Sequence, residues 1–122
     1  MIDEPAKMDL TIYRGRDFQI VFEMQNDDGT PLDLRGATAK SEIREQREQS
    51  APLVAAFTTL IVITESAGVL QKTEVKIALT DAQTAEIQRA DGYYDLLVSH
   101  ANGDDIPYVV GAISFRGTVT VK

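Results

Sequence analysis

The chain has 122 residues, no cysteine, no tryptophan, one histidine and a formal net charge of −7. This length fits one domain, and the lack of cysteine excludes disulfides, thiolate zinc sites and cysteine nucleophiles. The charge is spread along the chain without a basic patch, which argues against phosphate-driven binding of nucleic acid. Composition therefore predicts a single acidic domain and indicates no particular reaction or ligand.

In the first part of the chain, apolar and polar residues alternate, which is the period of a strand with one buried face. We predict three strands here, over 8–13, 17–25 and 37–44. Gly15 permits a bend between the first two strands, and an Asp-Gly-Thr-Pro turn at 28–31 follows the second. Residues 1–7 precede the first strand and are predicted to form an N-terminal arm. They lack the basic and apolar regions of a cleaved signal peptide.

The middle of the chain changes character twice. Residues 45–52 are polar and have no apolar period, which predicts a protruding loop and most simply a solvated hairpin tip. The β-branched and aromatic run over 53–64 predicts one long strand or a strand with a kink. This run is too short and too interrupted to span a bilayer. After a turn at 65–68, alternation predicts another strand over 69–79.

One short helix and two strands complete the prediction. Thr80 and Gln83 match a capping box, so a helix is expected near 81–89. Strands are expected over 93–100 and 108–121, the second with bulges at Gly111 and Gly117. About seven or eight strands with closely spaced turns favour a small β-sandwich that occupies 8–122 as a single domain.

No constellation of residues predicts catalysis or metal binding. His100 precedes a turn and has no nucleophile or orienting acid near it in sequence, so a solvated turn histidine is expected. Two clusters of Asn and Asp, at 27–28 and 102–105, suit turns and lack the ligand order of a calcium loop. Asp95 lies on one strand face with Tyr93 and Leu97. Glycoside hydrolysis would need a second acid, and spacing identifies none.

The tyrosines admit two interpretations, which stay open at this point. Tyrosine is enriched at protein interfaces, but a strand tyrosine is equally often half-buried for packing. Together with nearby charged residues of a turn and of the 45–52 loop, they form the predicted interface set: Tyr13, Arg14, Arg47, Glu48, Tyr93, Tyr94 and Tyr108.

Several segments together resemble small bacteriophage structural domains. They are a strand followed by an Arg-Gly-Arg-Asp bend and an aromatic residue, an Asp-Gly-x-Pro turn leading to Asp-Leu-x-Gly, a Leu-Thr-x-x-Gln-Thr helix start, a Gly-Tyr-Tyr-Asp-Leu strand and a closing strand of the type Gly-x-hydrophobic-x-Val. The segments cover 10–18, 28–39, 79–84, 92–96 and 111–121. Their order and spacing over 8–121 are similar to the N-terminal domain of phage baseplate upper proteins and related short phage or prophage tail proteins.

This resemblance implies an immunoglobulin-like antiparallel β-sandwich that docks one virion component onto another. It implies no catalytic, cofactor-binding or metal-binding residue. The expected protein is a non-enzymatic virion component, assembled in the host cytoplasm and present in several copies. Its expected partners are tail, baseplate, fibre or capsid subunits, with no nucleic acid and no membrane.

Four other functions remain open, of which a small hydrolase is one. The same resemblance suits a capsid decoration protein or a head-to-tail connector. A carbohydrate-binding β-sandwich module belongs to a different class of function. The resemblance concerns the docking domain and not the coiled coil and further domain that follow it in baseplate upper proteins, so an adaptor is expected rather than a fibre.

Overall fold

A computed structural model describes residues 5–117, which form ten strands and one short helix. The strands are β1 (Ala6–Lys7), β2 (Leu10–Tyr13), β3 (Phe18–Glu23), β4 (Thr38–Lys40), β5 (Glu42–Arg44), β6 (Leu53–Ala56), β7 (Thr58–Ser66), β8 (Val69–Leu79), β9 (Asp91–Ser99) and β10 (Asp105–Arg116), and the helix is α1 (Asp81–Ala85).

The strands form two sheets that pack face to face. The large sheet has the order β1-β10-β9-β5-β6, with β2 also beside β10 and β4 also beside β9, and the small sheet has the order β3-β8-β7. Two mainly antiparallel sheets packed over one core form a β-sandwich. The predicted β-sandwich is therefore confirmed.

The core lies between the sheets and takes side chains from both. Each strand contributes alternate residues, as period two requires. The most deeply buried apolar residues are Ile12, Leu34, Ile43, Val75, Ile77, Leu96, Val98 and Ile113.

The start of the chain departs from a purely antiparallel arrangement. β1 and β2 both run parallel to β10, with Ala6 opposite Val109 and Leu10 opposite Ile113. The last residues of the predicted arm 1–7 therefore belong to the sheet. Residues 1–4 of that arm lie outside the described residues.

Gly111 makes this parallel pairing possible. Bulges were expected at Gly111 and Gly117, but the register of β9 and β10 shifts between Pro107 and Val109, and Gly111 pairs regularly with Tyr94. A Cβ at Gly111 would lie 1.8 Å from the backbone oxygen of Met8. The glycine is thus required by a close backbone approach. Residues 118–121 of the predicted last strand lie outside the described residues.

The run over 53–64 is divided between the two sheets. β6 pairs with β5 in the large sheet, whereas β7 pairs with β8 in the small sheet. The chain crosses at Phe57, whose N–H donates to the carbonyl oxygen of Ser41 at 2.9 Å. The Phe57 ring is buried and meets Tyr94 edge to face, with ring centroids 6.1 Å apart. Both halves have the composition of strands, so composition did not mark this crossing.

The helix begins as predicted and ends earlier than 89. Thr80 and Gln83 form the capping box: the Gln83 N–H donates to the Thr80 hydroxyl at 3.2 Å, and the Thr80 N–H donates to the Gln83 side chain at 2.8 Å. α1 ends at Ala85. Beyond it, the Arg14 guanidinium donates to the carbonyl oxygens of Ile87 and Arg89. These backbone groups therefore bond to a side chain instead of continuing the helix.

Candidate functional site

A cavity of about 490 Å³ lies on the outer face of the large sheet. On β9 the buried residues Tyr94, Leu96 and Val98 face the core, so the half-buried Asp95 and its neighbours two residues away face outward. This confirms that Asp95 shares a face with Tyr93 and Leu97. We call the space between this face and the 45–52 loop the outer cavity. Its lining residues are Lys40, Glu42, Arg44, Gln46, Arg47, Glu48, Gln49, Tyr93, Tyr94, Asp95, Leu97, Val110 and Gly111.

Two carboxylates lie side by side in the floor of the outer cavity. Lys40 is opposite Leu97 and Ile43 is opposite Tyr94, which puts Glu42 opposite Asp95 in the antiparallel register. Directly opposed residues have Cβ atoms about 4.5–5.5 Å apart. Glu42 is therefore the second carboxylate close to Asp95, which spacing in the sequence did not identify. Its separation of 53 positions from Asp95 leaves no local sign of the pair.

The two acids have different partners. Glu42 makes ion pairs with Arg44 at 2.9 Å and with Lys40 at 3.8 Å. Asp95 makes no ion pair with any residue of 5–117. Burial, and then the charge of Glu42, raise the pKa of Asp95, while Arg44 and Lys40 oppose that increase. Asp95 thus carries a half-buried charge that the described residues do not neutralise by direct contact.

The 45–52 loop folds back onto the sheet at several points. The Arg44 guanidinium donates to the carbonyl oxygen of Ala51 at 2.8 Å, and Ala51 is itself buried. The Arg47 guanidinium carbon lies 4.8 Å from the centroid of the Tyr93 ring, a cation–π contact. The loop that polarity predicted to protrude therefore forms a wall of the outer cavity.

Four residues of the predicted interface set line this cavity: Arg47, Glu48, Tyr93 and Tyr94. Tyr13 is exposed on β2 and lies outside the cavity. Arg14 holds the backbone after α1, as described above. The predicted set therefore combines residues of one surface with residues that serve the fold.

The rings of Tyr94 and Tyr108 are mostly buried, so both are largely core residues. The Tyr94 hydroxyl donates to the carbonyl oxygen of Met8 at 2.7 Å. Burial and the charge of Asp9 raise the pKa of Tyr94 to about 12. The Tyr108 hydroxyl lies 2.7 Å from Nε2 of His100. His100 is thus half-buried and hydrogen-bonded, which corrects the expectation of a solvated turn histidine.

The Asn and Asp clusters close turns, as predicted. Asp28 accepts from the N–H and the hydroxyl of Thr30 at 2.9 and 2.6 Å, and these bonds lower its pKa. The Asp104 N–H donates to the side chain of Asn102 at 2.9 Å. Within 5–117, no group of three or more His, Cys, Asp or Glu side chains is placed to hold a metal ion. In the same range, no helix has the length and apolar character needed to cross a membrane.

Fold and site together define a small β-sandwich domain with a charged and aromatic cavity on the outer face of its larger sheet. The family model of the LtfC-like β-sandwich domain matches residues 4–121. The chain therefore belongs to the LtfC-like β-sandwich domain family. No curated protein matches the sequence.

Some solved structures contain a distantly similar sandwich. A mutant of the SrpA adhesin from Streptococcus sanguinis has a TM-score of 0.43 at 13% identity, covering 89% of this chain and 55% of that chain. The sialic acid binding region of a Streptococcus sanguinis adhesin, bound to 3'sLn, has a TM-score of 0.47 at 13% identity, covering 94% and 29%.

A family 123 glycoside hydrolase from Clostridium perfringens has a TM-score of 0.42 at 11% identity, covering 95% of this chain and 24% of that chain. This chain therefore spans only part of each of these larger proteins. The similarities are too distant to carry a functional argument.

Proposed function

We propose that this domain is a non-enzymatic structural protein of a bacteriophage virion, an adaptor of the tail or baseplate that acts by docking to other virion subunits. The outer cavity is the observation that carries the docking role. Sequence motifs similar to those of phage baseplate upper proteins support the virion role. The proposed partners are tail, baseplate, fibre or capsid subunits, and the domain acts in several copies, in the virion, after assembly in the host cytoplasm.

The composition of the outer cavity suits protein docking. Tyrosine and arginine are enriched in interface cores and often carry most of the binding energy. Here Arg47 and Tyr93 already contact each other on the cavity wall, and Arg44 ties the loop to the floor. Because these side chains are held in place before a partner arrives, less conformational entropy is lost on docking.

A carbohydrate-binding module is the second candidate. The volume of about 490 Å³ lies in the range of small-ligand sites, and Gln46, Gln49 and the two acids offer groups that bind hydroxyls. However, the Tyr93 face on which a sugar would stack is covered by Arg47. This contact favours the docking role over the sugar-binding role.

The test uses purified phage particles and asks where the chain is and whether the cavity places it there. Cryo-electron microscopy is expected to show the domain in the tail or baseplate, in several copies, with the outer cavity against a neighbour. Absence from the mature particle would refute the virion role. A position on the capsid or neck would refute the tail role and select the decoration or connector function.

A variant pair tests the cavity itself. Tyr93→Ala is expected to lower incorporation into particles at least about tenfold, since tyrosine is enriched among the interface residues whose truncation costs about 2 kcal/mol or more, and about 1.4 kcal/mol corresponds to a factor of ten. The matched control is Tyr13→Ala, another tyrosine on a strand, exposed and outside the cavity. Equal incorporation of the two variants would contradict docking through this surface. Circular dichroism of both purified variants shows whether each retains the sandwich.

A further inference from the structure

We infer that the outer cavity receives a basic side chain, an arginine or lysine presented by the docking partner, with Asp95 as its counter-ion. This inference rests on the proposed docking function and specifies the partner's chemistry. Three observations lead to it. In the cavity, Asp95 is a half-buried acid without a paired cation among residues 5–117, and apolar side chains lie beside it. The third observation is the negative net charge of the whole chain.

The first property is the unequal neutralisation of the two acids. Arg44 and Lys40 both pair with Glu42, whereas no cation of 5–117 pairs with Asp95. A half-buried carboxylate has lost part of its hydration and gains more from a direct cation than an exposed one does. Glu48, the third acid of the lining, also makes no ion pair within 5–117, but it is exposed and keeps its hydration. An added positive charge is therefore most favoured beside the half-buried Asp95.

The second property is the shape of the surroundings of Asp95. Val110 lies directly opposite Asp95 on β10, and Leu97 is its neighbour two residues along the same face. Arginine and lysine have an apolar stem and a charged head. The stem can pack against Val110 and Leu97 while the head reaches the carboxylate. A small metal cation would leave these apolar walls without a partner.

The third property acts at longer range. The formal net charge of −7 attracts a basic surface and accelerates its encounter with the domain. Arg47, Arg44 and Lys40 in the cavity have their own partners in Tyr93 and Glu42. The incoming cation is thus directed to Asp95 and not to Glu42, whose two carboxylate oxygens are both engaged.

The experiment is an NMR titration of the ¹⁵N-labelled full chain at low ionic strength. The probe is a blocked Gly-Arg-Gly peptide, and its matched control carries citrulline, which has nearly the same shape as arginine and no charge. We expect the arginine peptide to shift the amide signals of Tyr93, Asp95 and Leu97 saturably. We also expect half-saturation at a peptide concentration at least about tenfold lower than that of the citrulline peptide. Equal binding of the two peptides would overturn the inference.

Two variants separate the site from the overall charge. Asp95→Asn keeps the side-chain shape and is expected to weaken arginine-peptide binding at least about tenfold. Asp105→Asn removes one charge from an exposed position on β10 and is expected to leave binding nearly unchanged. Equal weakening in both variants would reduce the effect to net charge and refute the site. The spectra themselves report whether each variant is folded.

The outcomes separate this inference from the function on which it rests. If the domain is found in the tail but binds arginine and citrulline peptides alike, the basic side chain is refuted and the virion role stands. If the arginine peptide binds through Asp95 but the chain is absent from particles, the virion role is refuted and the cation site stands. Saturable binding of a blocked disaccharide at Tyr93, without arginine binding, refutes the inference in favour of the sugar-binding candidate.

Discussion

Replacing Gly111 with alanine tests how the start of the chain is held on the large sheet. A Cβ at this position would lie 1.8 Å from the backbone oxygen of Met8 and 2.6 Å from its carbonyl carbon. Backbone atoms cannot tolerate such a contact, and no flexible side-chain end is available there to move instead. The segment that joins β1 to β2 must therefore separate from β10.

The contacts of Met8 give the size of the effect. Separation breaks the hydrogen bond from the Met8 N–H to the Val110 oxygen at 2.9 Å, and the one from the Tyr94 hydroxyl to the Met8 oxygen at 2.7 Å. A hydrogen bond contributes about 1 kcal/mol, and a buried hydroxyl that loses its partner costs about 1–3 kcal/mol. With the strain of overpacking added, we expect Gly111→Ala to lower the free energy of unfolding by about 3–5 kcal/mol.

Urea unfolding followed by circular dichroism measures this difference, and Gly117→Ala is the matched control. No atom lies within 4 Å of a Cβ built on Gly117, so the control is expected to change stability by less than about 1 kcal/mol. A loss below about 1 kcal/mol in Gly111→Ala, or equal losses in the two variants, would refute the argument from close approach.

Three further predictions concern single side chains. The pKa of Asp95 is higher in the folded state than the ordinary 3.8, so the parent loses stability as pH rises from 3.8 through the folded-state pKa. In urea titrations, Asp95→Asn should therefore be more stable than the parent at pH 7, and the difference should vanish below pH 3.8. Equal stability at pH 7 would contradict this prediction. Arg14→Lys keeps the positive charge but loses the guanidinium hydrogen bonds to two carbonyl oxygens after α1. We expect thermal unfolding to show that the free energy of unfolding falls by about 2 kcal/mol. An unchanged stability would show that the positive charge alone is sufficient. The Thr84 hydroxyl is fully buried, accepts a hydrogen bond from the Gly15 N–H at 3.0 Å and donates one to the Arg16 carbonyl oxygen at 2.8 Å. In the same assay, Thr84→Val should therefore lower the free energy of unfolding by about 2–3 kcal/mol. An unchanged stability would contradict this bridging role.

Local signals were sufficient for most of the fold. Period-two alternation predicted β8 and the inward and outward faces of β9, because one buried face is enough to impose that pattern. The capping box at Thr80 was visible because its two partners are three residues apart. The division of the run over 53–64 at Phe57 was not visible, since both halves share one composition and differ only in the sheet they join.

The candidate site was harder to predict, because it depends on pairing between distant parts of the chain. Asp95 and Glu42 meet only through the register of β5 and β9, and register is not encoded next to either residue. The tyrosines raised a different difficulty. Tyr93 and Tyr94 are adjacent in sequence and both contribute to the lining of the outer cavity, yet the Tyr93 side chain faces outward and the Tyr94 ring is buried in the core. Residue type predicted an interface role for both tyrosines. Their different environments follow only from the alternation of side chains along β9, which puts neighbouring residues on opposite faces of the sheet.

The outer cavity is built so that its shape and the stability of the sandwich depend on different residues. The core between the sheets stabilises the fold through fully buried side chains such as Leu96 and Ile43. The cavity wall is held by partly exposed contacts of Arg44 and Arg47. The Arg44 hydrogen bond contributes about 1.5–3 kcal/mol and the cation–π contact of Arg47 about 0.5–1 kcal/mol. Changes at the exposed loop positions 46–49 therefore alter the cavity wall at little cost to folding. Under the proposed docking function, a domain with this division can retain its sandwich while the outer cavity changes to suit a different partner.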